Sequence, residues 1–353
     1  MNQNVQNFDG EIELSIIIPA FNVMEYIIEC IDSVLVQWTD SIEIIVVNDG
    51  STDGTDVLLA KVYGSNEKVT IINQENKGLS SARNMGLSKA RGRYIALLDG
   101  DDTLKSNSLK KIMSCLEKNS PDVLMVDHMM SWDDGGLYVK KYEGKLVKNN
   151  LLDVEENAVL SKVYDNSEVY IWKYIFRSDF YRKKEFPVGR NFEDVRIFPF
   201  LLKQCRTFFY LPVIFINYKQ REASILKTKS VKNVLDLSSS PVDFLDEGGK
   251  DLLTKNEAIS YTAFCMKVFV WSVQDLLISN GGYQHVKVLL ENNKKSIICD
   301  KNEALKLLKL NDRKNYVLYR MLTSSVITLK AVFYLFNKNK FTKNVLRKIY
   351  NSI

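Results

Sequence analysis

The chain has 353 residues, 46% of them apolar and 26% charged, which is long enough for one core-bearing domain and a second unit. Its five cysteines are scattered and its two histidines are isolated, which argues for reduced thiols in the cytosol and against a zinc or histidine-based metal site. The net charge of +5 is uneven, because residues 313–353 carry nine Lys or Arg and no acid, so +5 less +9 leaves −4 for residues 1–312.

Short apolar runs alternate with helical patterns from residue 14 to about residue 118. The runs predict buried strands at 14–18, 42–47, 69–72 and 94–98. Helices are predicted in between, with apolar residues recurring at helical spacing over 26–35, 57–62 and 79–90. Ser51 or Thr52 is expected to cap the second helix. Strands that alternate with helices predict a parallel sheet covered on both faces.

Three carboxylates, Asp99, Asp101 and Asp102, follow the fourth predicted strand. The strand would present Asp99 and Asp101 at its carboxyl end, where open α/β sheets bind their ligands. Paired carboxylates suit Mg²⁺ or Mn²⁺, which complete their coordination with phosphate oxygens and water. The sequence therefore predicts a cation and diphosphate site, although the same residues also suit an ordinary turn.

Two further strand ends carry candidate ligand-binding residues. Phe21 is placed to stack on a base and Asp49 to accept a hydrogen bond from a pyrimidine imide N–H. Alternatively, Phe21 packs a loop and Asp49 belongs to a turn that leads into a helix. Gly78 permits close backbone approach and Arg83 can reach a diphosphate, or they are a turn glycine and a surface charge.

Four ordered segments resemble the signatures of family 2 glycosyltransferases with a GT-A fold. They are Ile18-Pro19-Ala20-Phe21-Asn22, Val47-Asn48-Asp49-Gly50-Ser51-Thr52-Asp53, Asn76-Lys77-Gly78-Leu79-Ser80-Ser81-Ala82-Arg83-Asn84 and Leu98-Asp99-Gly100-Asp101-Asp102. The resemblance is close over residues 13–125 and looser over 172–224. It implies an α/β nucleotide-sugar-binding domain, a divalent metal and inversion of the anomeric centre.

The resemblance also implies roles for particular residues. Asp99 and Asp101 are expected to bind Mn²⁺ or Mg²⁺. The donor is expected to be held by Pro19, Phe21, Asn22, Asp49, Ser51, Asn76, Gly78, Arg83, Asp99, Gly100 and Arg221. Arg221 would steady the leaving diphosphate, and the alternative is a surface arginine in a loop.

An acidic pair further along the chain matches the position of the family's catalytic base. The aromatic-rich segment 172–177 precedes the pair, and the second acid of the pair is the base in the family, which implies Asp194, with Glu193 as the first alternative. Glu-Asp pairs also occur simply as charges at a helix start. Pro199 is expected to kink or restart any helix that follows. The chain lacks the Gln-x-x-Arg-Trp signature of processive synthases, which favours one sugar per encounter.

The second half of the chain predicts helices. We expect a catalytic domain over residues 1–228 and a mainly helical region over 229–353. Breaks between helices are expected at 238–241 and 247–249, and one buried helix is expected over 261–278.

The basic tail, residues 313–353, contains an apolar stretch without a clean membrane span. Six apolar residues fall near one helical face, as in a helix that lies in a membrane interface. They are Leu318, Leu322, Val326, Leu329, Phe333 and Phe336. The alternative is a helix packed on the protein, and no motif supports nucleic-acid binding.

The sequence thus predicts a metal-dependent inverting transferase that moves one sugar from a UDP-sugar to a glycan hydroxyl. A lipid-linked acceptor, a place in bacterial surface polysaccharide assembly and a cytoplasmic location, at or near the inner membrane, are expected; the polar first seven residues predict no secretory signal. One alternative is a catalytically silent GT-A scaffold that binds glycan or nucleotide. Another is a sugar-phosphate nucleotidyltransferase, whose Gly-rich basic loop is missing at residues 19–22.

Overall fold

The computed structural model describes residues 12–132, 135–141, 146–220, 229–279, 281–325 and 328–329. The chain forms two compact units. The sheet unit holds the described residues up to Asn157 and those from Tyr170 to residue 220, and the helical unit holds Ala158–Val169 and the described residues from 229 onward. The boundary predicted at residue 228 lies outside the described residues and stays a prediction.

The sheet unit is organised around one large sheet. Its strands are β1 (Leu14–Ala20), β2 (Ile42–Asp49), β3 (Val69–Gln74), β4 (Tyr94–Leu97), β5 (Thr103–Leu104), β6 (Val123–Trp132), β7 (Leu137–Lys140), β8 (Leu151–Asp153), β9 (Tyr174–Arg177) and β10 (Thr207–Gln220). They lie in the order β3-β2-β1-β4-β9-β6-β10-β5, with β7 beside β6 and β8 beside β10.

The strand directions gather several carboxyl ends at one edge. β1 is parallel to β2 and β4, β2 is parallel to β3, and β6 is parallel to β10. β9 is antiparallel to both β4 and β6, so β6 and β10 run in the direction of β4. This arrangement confirms the predicted α/β, mostly parallel sheet. The shared edge, here called the carboxyl edge, is where such sheets bind ligands.

Helices cover the sheet and build the helical unit. They are α1 (Ile27–Leu35), α2 (Thr55–Tyr63), α3 (Leu79–Lys89), α4 (Ser108–Asn119), α5 (Val159–Asn166), α6 (Ser178–Tyr181), α7 (Glu193–Leu202), α8 (Val231–Phe244), α9 (Lys250–Leu252), α10 (Lys255–Ile278), α11 (Gln284–Lys295), α12 (Lys301–Asn311) and α13 (Arg313–Leu322). The helices α5 and α8 to α13 belong to the helical unit.

The core of the sheet unit follows from strands that are apolar on both faces. Ile44 and Val46 of β2 pack in one cluster with Ile31 of α1, whereas Val47 packs in another with Ala82 of α3. Because successive strand residues point to opposite faces, a strand covered on both sides needs a continuous apolar run. The four strands and three helices predicted up to residue 98 are confirmed, with ends shifted by a few residues.

The predicted helix cap at Ser51 or Thr52 is wrong. α2 begins at Thr55, after Gly54 with a φ of 93°, and Gly54 offers no side chain as a cap. Asp53 Oδ1 instead accepts a hydrogen bond from Thr55 N at 3.0 Å, which satisfies one of the free N–H groups of the first turn.

Two predicted helix interruptions are not seen. α8 passes through the segment 238–241, where Ser240 Oγ donates to Asp236 O at 2.9 Å, as hydroxyls inside helices do. α7 passes through Pro199 as a single helix. Buried side chains around Pro199 hold the helix by tertiary packing, which outweighs the missing N–H group. The break expected at 247–249 is confirmed by Gly248, whose φ is 90°.

The helical unit packs around α10, which confirms the buried helix predicted over 261–278. A capping box starts α10: Thr254 Oγ1 accepts from Glu257 N at 3.3 Å, and Glu257 Oε2 accepts from Thr254 N at 2.8 Å. Among the described residues, α10 alone is long and apolar enough to cross a bilayer, and 78% of its apolar window is buried inside the protein. Such burial is typical of a core helix.

The described part of the basic tail packs on the protein. Leu318, Leu322 and Leu329, three of the six residues expected on a membrane-facing side, are buried in the core of the helical unit. The other three, Val326, Phe333 and Phe336, lie outside the described residues. The described residues of this predicted side therefore belong to the core of the helical unit.

Candidate active site

The loops that follow β1 and β2 are joined by side chains at the carboxyl edge. Asn22 N donates to Ser51 Oγ at 3.0 Å, and Asn22 Oδ1 accepts from Thr52 N at 2.8 Å. Ser51 Oγ donates in turn to Asn48 Oδ1 at 2.6 Å. Asn22 and Ser51, both predicted to hold the donor, thus brace the two loops against each other.

The loop after β1 has one exposed aromatic ring and packs against residues 99–102, here called the aspartate segment. Phe21 is 45% exposed, so its ring is available to stack on a base. At Gly100 a Cβ would lie 3.0 Å from Pro19 O and 3.3 Å from Ile27 Cδ1. Glycine therefore permits the close approach of the aspartate segment to Pro19.

Asp49, at the end of β2, organises the loop before α3. Its Oδ1 accepts from Gln74 Nε2 at 2.6 Å and from Lys77 N at 2.9 Å, and its Oδ2 accepts from Gly78 N at 2.8 Å. Since a carboxylate offers about four acceptor positions, these donors leave room for one more. Asn76 lies exposed in this loop, and Gly78 has a φ of 89°, which favours glycine. The base contact of Asp49 stays a prediction, and Gln74 had no motif that would have revealed its role.

Arg83 of α3 is buried and joins two carboxylates from distant parts of the chain. Nη2 donates to Asp99 Oδ1 at 3.0 Å, and Nη1 donates to Glu193 Oε1. Burial alone lowers the pKa of Arg83, but the carboxylates of Asp99 and Glu193 outweigh it and hold the pKa above its ordinary value. The guanidinium thus stays charged and fixes the aspartate segment against the start of α7. Its predicted contact with a diphosphate stays a prediction.

Asp194, the predicted base, is partly exposed beside Glu193 at the start of α7. Burial of the carboxyl group raises its pKa, the charge of Glu193 raises it further and Arg83 opposes both, which gives a value of about 7. Asp194 Oδ1 also accepts from Val195 N at 2.8 Å. A carboxylate that titrates near neutral pH is suited to proton transfer in catalysis.

The three aspartates after β4 have different environments. The Asp99 side chain is 27% exposed and Asp101 is partly exposed, whereas Asp102 is buried. Asp102 Oδ1 accepts from Lys219 N at 2.9 Å, so it ties the aspartate segment to β10. Burial, followed by the charges of Asp102 and the other two aspartates, raises the pKa of Tyr218 above its ordinary value. Asp102 therefore has a structural role that the spacing of the motif did not reveal.

The carboxylate oxygens of Asp99 and Asp101 are suitable ligands for a divalent cation such as Mg²⁺ or Mn²⁺. Such cations use one or two carboxylates and take their other ligands from phosphates and water. In the part of the chain that the structure describes, no three His, Cys, Asp or Glu side chains form a metal cage. A cation shared with a diphosphate needs no such cage. Arg221 lies outside the described residues, so its role stays a prediction.

The mostly parallel sheet, with carboxylates at its carboxyl edge and an acidic pair linked to them, matches the GT-A fold expected from the sequence motifs. Residues 15–181 match the model described as "Glycosyl transferase family 2". Residues 15–181, most of the sheet unit, are therefore a family 2 glycosyltransferase domain by sequence similarity.

Named relatives agree with this assignment. The chain is 29% identical over 238 residues to glycosyltransferase GlyG of Streptococcus pneumoniae, an alignment that covers 61% of this chain and 73% of GlyG. It is 32% identical over 195 residues to the uncharacterized glycosyltransferase EpsJ of Bacillus subtilis, covering 55% of this chain and 56% of EpsJ. The chain thus spans little more than half the length of EpsJ.

A solved structure shares the fold over nearly the whole chain. It is residues 1–349 of TarS from S. aureus in complex with UDP-GlcNAc, with a TM-score of 0.65 and 17% sequence identity, and the match covers 89% of this chain and 91% of that one. At this identity the likeness establishes the fold alone.

Proposed function

We propose that this chain moves one sugar from a UDP-sugar to a hydroxyl of a glycan acceptor, with inversion of the anomeric centre. The observation that carries the proposal is Asp194, a partly exposed carboxyl group with a pKa of about 7 that is linked through Glu193 and Arg83 to Asp99. Direct displacement needs one base to take the proton of the attacking hydroxyl. A UDP-sugar donor is supported by the complex of TarS with UDP-GlcNAc.

Each part of the site has a task in this reaction. Asp194 accepts the proton of the acceptor hydroxyl as the oxygen attacks the anomeric carbon on the face opposite the diphosphate. Arg83 fixes the position of Asp99 relative to the acidic pair, because one Nη atom donates to Asp99 and the other donates to Glu193. Asp49 fixes the loop before α3, because its carboxylate accepts hydrogen bonds from Lys77 N and Gly78 N.

Asp99 and Asp101 would hold Mn²⁺ or Mg²⁺ in this proposal. When bound, the cation supplies positive charge that offsets the charge growing on the departing UDP. Two contacts hold these aspartates in place: Lys219 N of β10 donates to Asp102, and Arg83 of α3 donates to Asp99.

A screen of UDP- and GDP-sugars for donor hydrolysis with Mn²⁺ tests the donor and the metal together. We expect a UDP-sugar to be hydrolysed. EDTA or Asp101→Ala should abolish the reaction, because either change removes the bound cation. Asp101 lies on a loop, so its substitution should leave the core intact. Asp56→Ala, which removes an exposed acid of α2, serves as the matched control and retains activity. Full activity of Asp101→Ala or in EDTA would rule out the metal assignment.

We further propose a lipid-linked acceptor at the cytoplasmic face of a membrane, in bacterial surface polysaccharide assembly. The basic residues of 313–353 support this, since anionic lipids contribute roughly 1 kcal/mol per Lys or Arg near their surface. Leu318, Leu322 and Leu329 of the tail are buried in the helical unit, so the attraction would come mainly from charge. We expect the protein to sediment with anionic vesicles at low salt and to detach at high salt. Failure to sediment at low salt would leave the tail as a packing element.

A further inference from the structure

One face of the sheet carries aromatic side chains near the carboxyl ends of β6 and β10. Residues that pair across strands point to the same face, as do residues two apart on one strand. The register pairs Tyr218 with Met130 and Met130 with Tyr138, so this face continues across β10, β6 and β7. Trp132 and Lys140 lie two residues beyond Met130 and Tyr138 and point the same way.

Two further rings from the segment before β9 extend the row. The Trp172 ring centroid lies 5.6 Å from that of Tyr218 and 5.7 Å from that of Tyr170, with the Tyr170 pair stacked. The buried His128, on the same face of β6, meets Trp172 edge to face at 4.8 Å. Lys140 Nζ stands 5.4 Å over the Tyr170 ring. The rings of Tyr218, Trp172 and Tyr170 therefore form a connected row that reaches Lys140 of β7.

The sheet face that carries this row is partly open to solvent. Tyr138 is 54% exposed and Trp132 is 36% exposed, while Tyr170, Trp172 and Tyr218 are partly exposed. Tyr138, Trp132, Tyr170, Trp172 and Tyr218 are here called the aromatic face. Two strand spacings, about 10 Å, separate β10 from β7, so the face is wider than a single sugar ring. A cluster of exposed rings of this extent is typical of a binding surface.

The aromatic face is continuous with the aspartate segment. Lys219, next to Tyr218, donates its N–H to Asp102 Oδ1 at 2.9 Å, and Asn217 pairs with Thr103 in the short β5 ladder. Tyr218 thus stands where the aspartate segment meets the aromatic face. A bound glycan that lies along the rings would therefore end beside the site proposed for the donor.

We propose that the aromatic face binds the glycan of the acceptor over more than one sugar unit, with the end that receives the sugar at the aspartate segment. This inference rests on the proposed function. Sugar rings present C–H faces that pack on aromatic rings, and their hydroxyls bond to polar groups at the rim. Tyr and Trp provide rigid, amphipathic contact area at a low cost in side-chain entropy.

A glycan array provides the test. The intact protein is applied with UDP and Mn²⁺ to an array of bacterial surface oligosaccharides, beside Tyr138→Ala, Trp132→Ala and Leu137→Ala. Leu137 is the matched control, because it adjoins Tyr138 and is 67% exposed but pairs with Ser131 on the opposite face. We expect the unaltered protein to retain oligosaccharides of two or more sugars, roughly 3- to 10-fold weaker binding for the two aromatic variants, and no change for Leu137→Ala.

Three results would overturn the proposal: no oligosaccharide is retained, the aromatic variants bind as well as the unaltered protein, or Leu137→Ala loses as much. A dimer in sedimentation velocity that Tyr138→Ala dissociates would assign the face to a second copy instead. Donor hydrolysis is measured on the same preparations. If the donor is hydrolysed but the aromatic variants bind glycans as well as the unaltered protein, only the proposal for the aromatic face fails. If no sugar nucleotide is hydrolysed, the proposed function fails.

Discussion

Asp194→Asn is expected to lower the rate of sugar transfer by about 10²-fold or more, the usual contribution of a positioned general base. Asparagine keeps the size of the side chain and removes its basicity, so donor binding should be nearly unchanged. Turnover with a saturating UDP-sugar, beside UDP binding by calorimetry, separates the two effects. Glu193→Gln is the companion variant, and full turnover of Asp194→Asn with loss in Glu193→Gln would move the base to Glu193.

The pH dependence of transfer offers a second readout of Asp194. Its pKa is raised to about 7 by burial and by Glu193, so the carboxyl group is protonated below that pH and is a base above it. We expect kcat to rise as the pH increases from about 6 to 8 and then to level off. In Asp194→Asn this rise should disappear. A profile that is flat from pH 6 to 8 in the unaltered protein would contradict the role of Asp194.

Arg83→Met is expected to cost about 3–5 kcal/mol of folding free energy, because it leaves two carboxylates without their buried partner. The guanidinium is 2% exposed and holds both Asp99 and Glu193. Activity that survives should shift to higher pH, since Arg83 opposes the rise in the pKa of Asp194. Urea unfolding and the pH profile of transfer measure the two effects. Arg83→Lys should recover part of the stability, as it keeps the charge but loses the two-pronged contact.

The control for Arg83→Met is Arg91→Met. Arg91 Nε lies 3.0 Å from Glu43 Oε2, but the Arg91 side chain is 73% exposed. Exposed pairs contribute about 0–1 kcal/mol, so Arg91→Met should change the free energy of unfolding little. Equal losses in the two variants would show that burial of the Arg83 network does not determine its contribution.

The sequence alone determined the first half of the fold and the identity of its strand ends. The buried runs from Leu14 to Leu97 are apolar and β-branched, and such local patterns predict parallel strands wherever tertiary packing agrees with them. Because the carboxyl ends of parallel strands meet at one edge, Asp49 and Asp99 could be assigned to the same site. The family motifs identified the acidic pair at Asp194, which no periodicity would reveal.

Only the tertiary structure decided how these parts meet. Arg83 and Glu193 are 110 residues apart, and no local pattern states that the guanidinium would be buried between two carboxylates. Long-range contacts also place the antiparallel β9 between β4 and β6. They likewise group Ala158–Val169 with the helical unit. Helix and strand periodicities report which side of an element is buried, whereas register and burial between distant segments depend on packing of the whole chain.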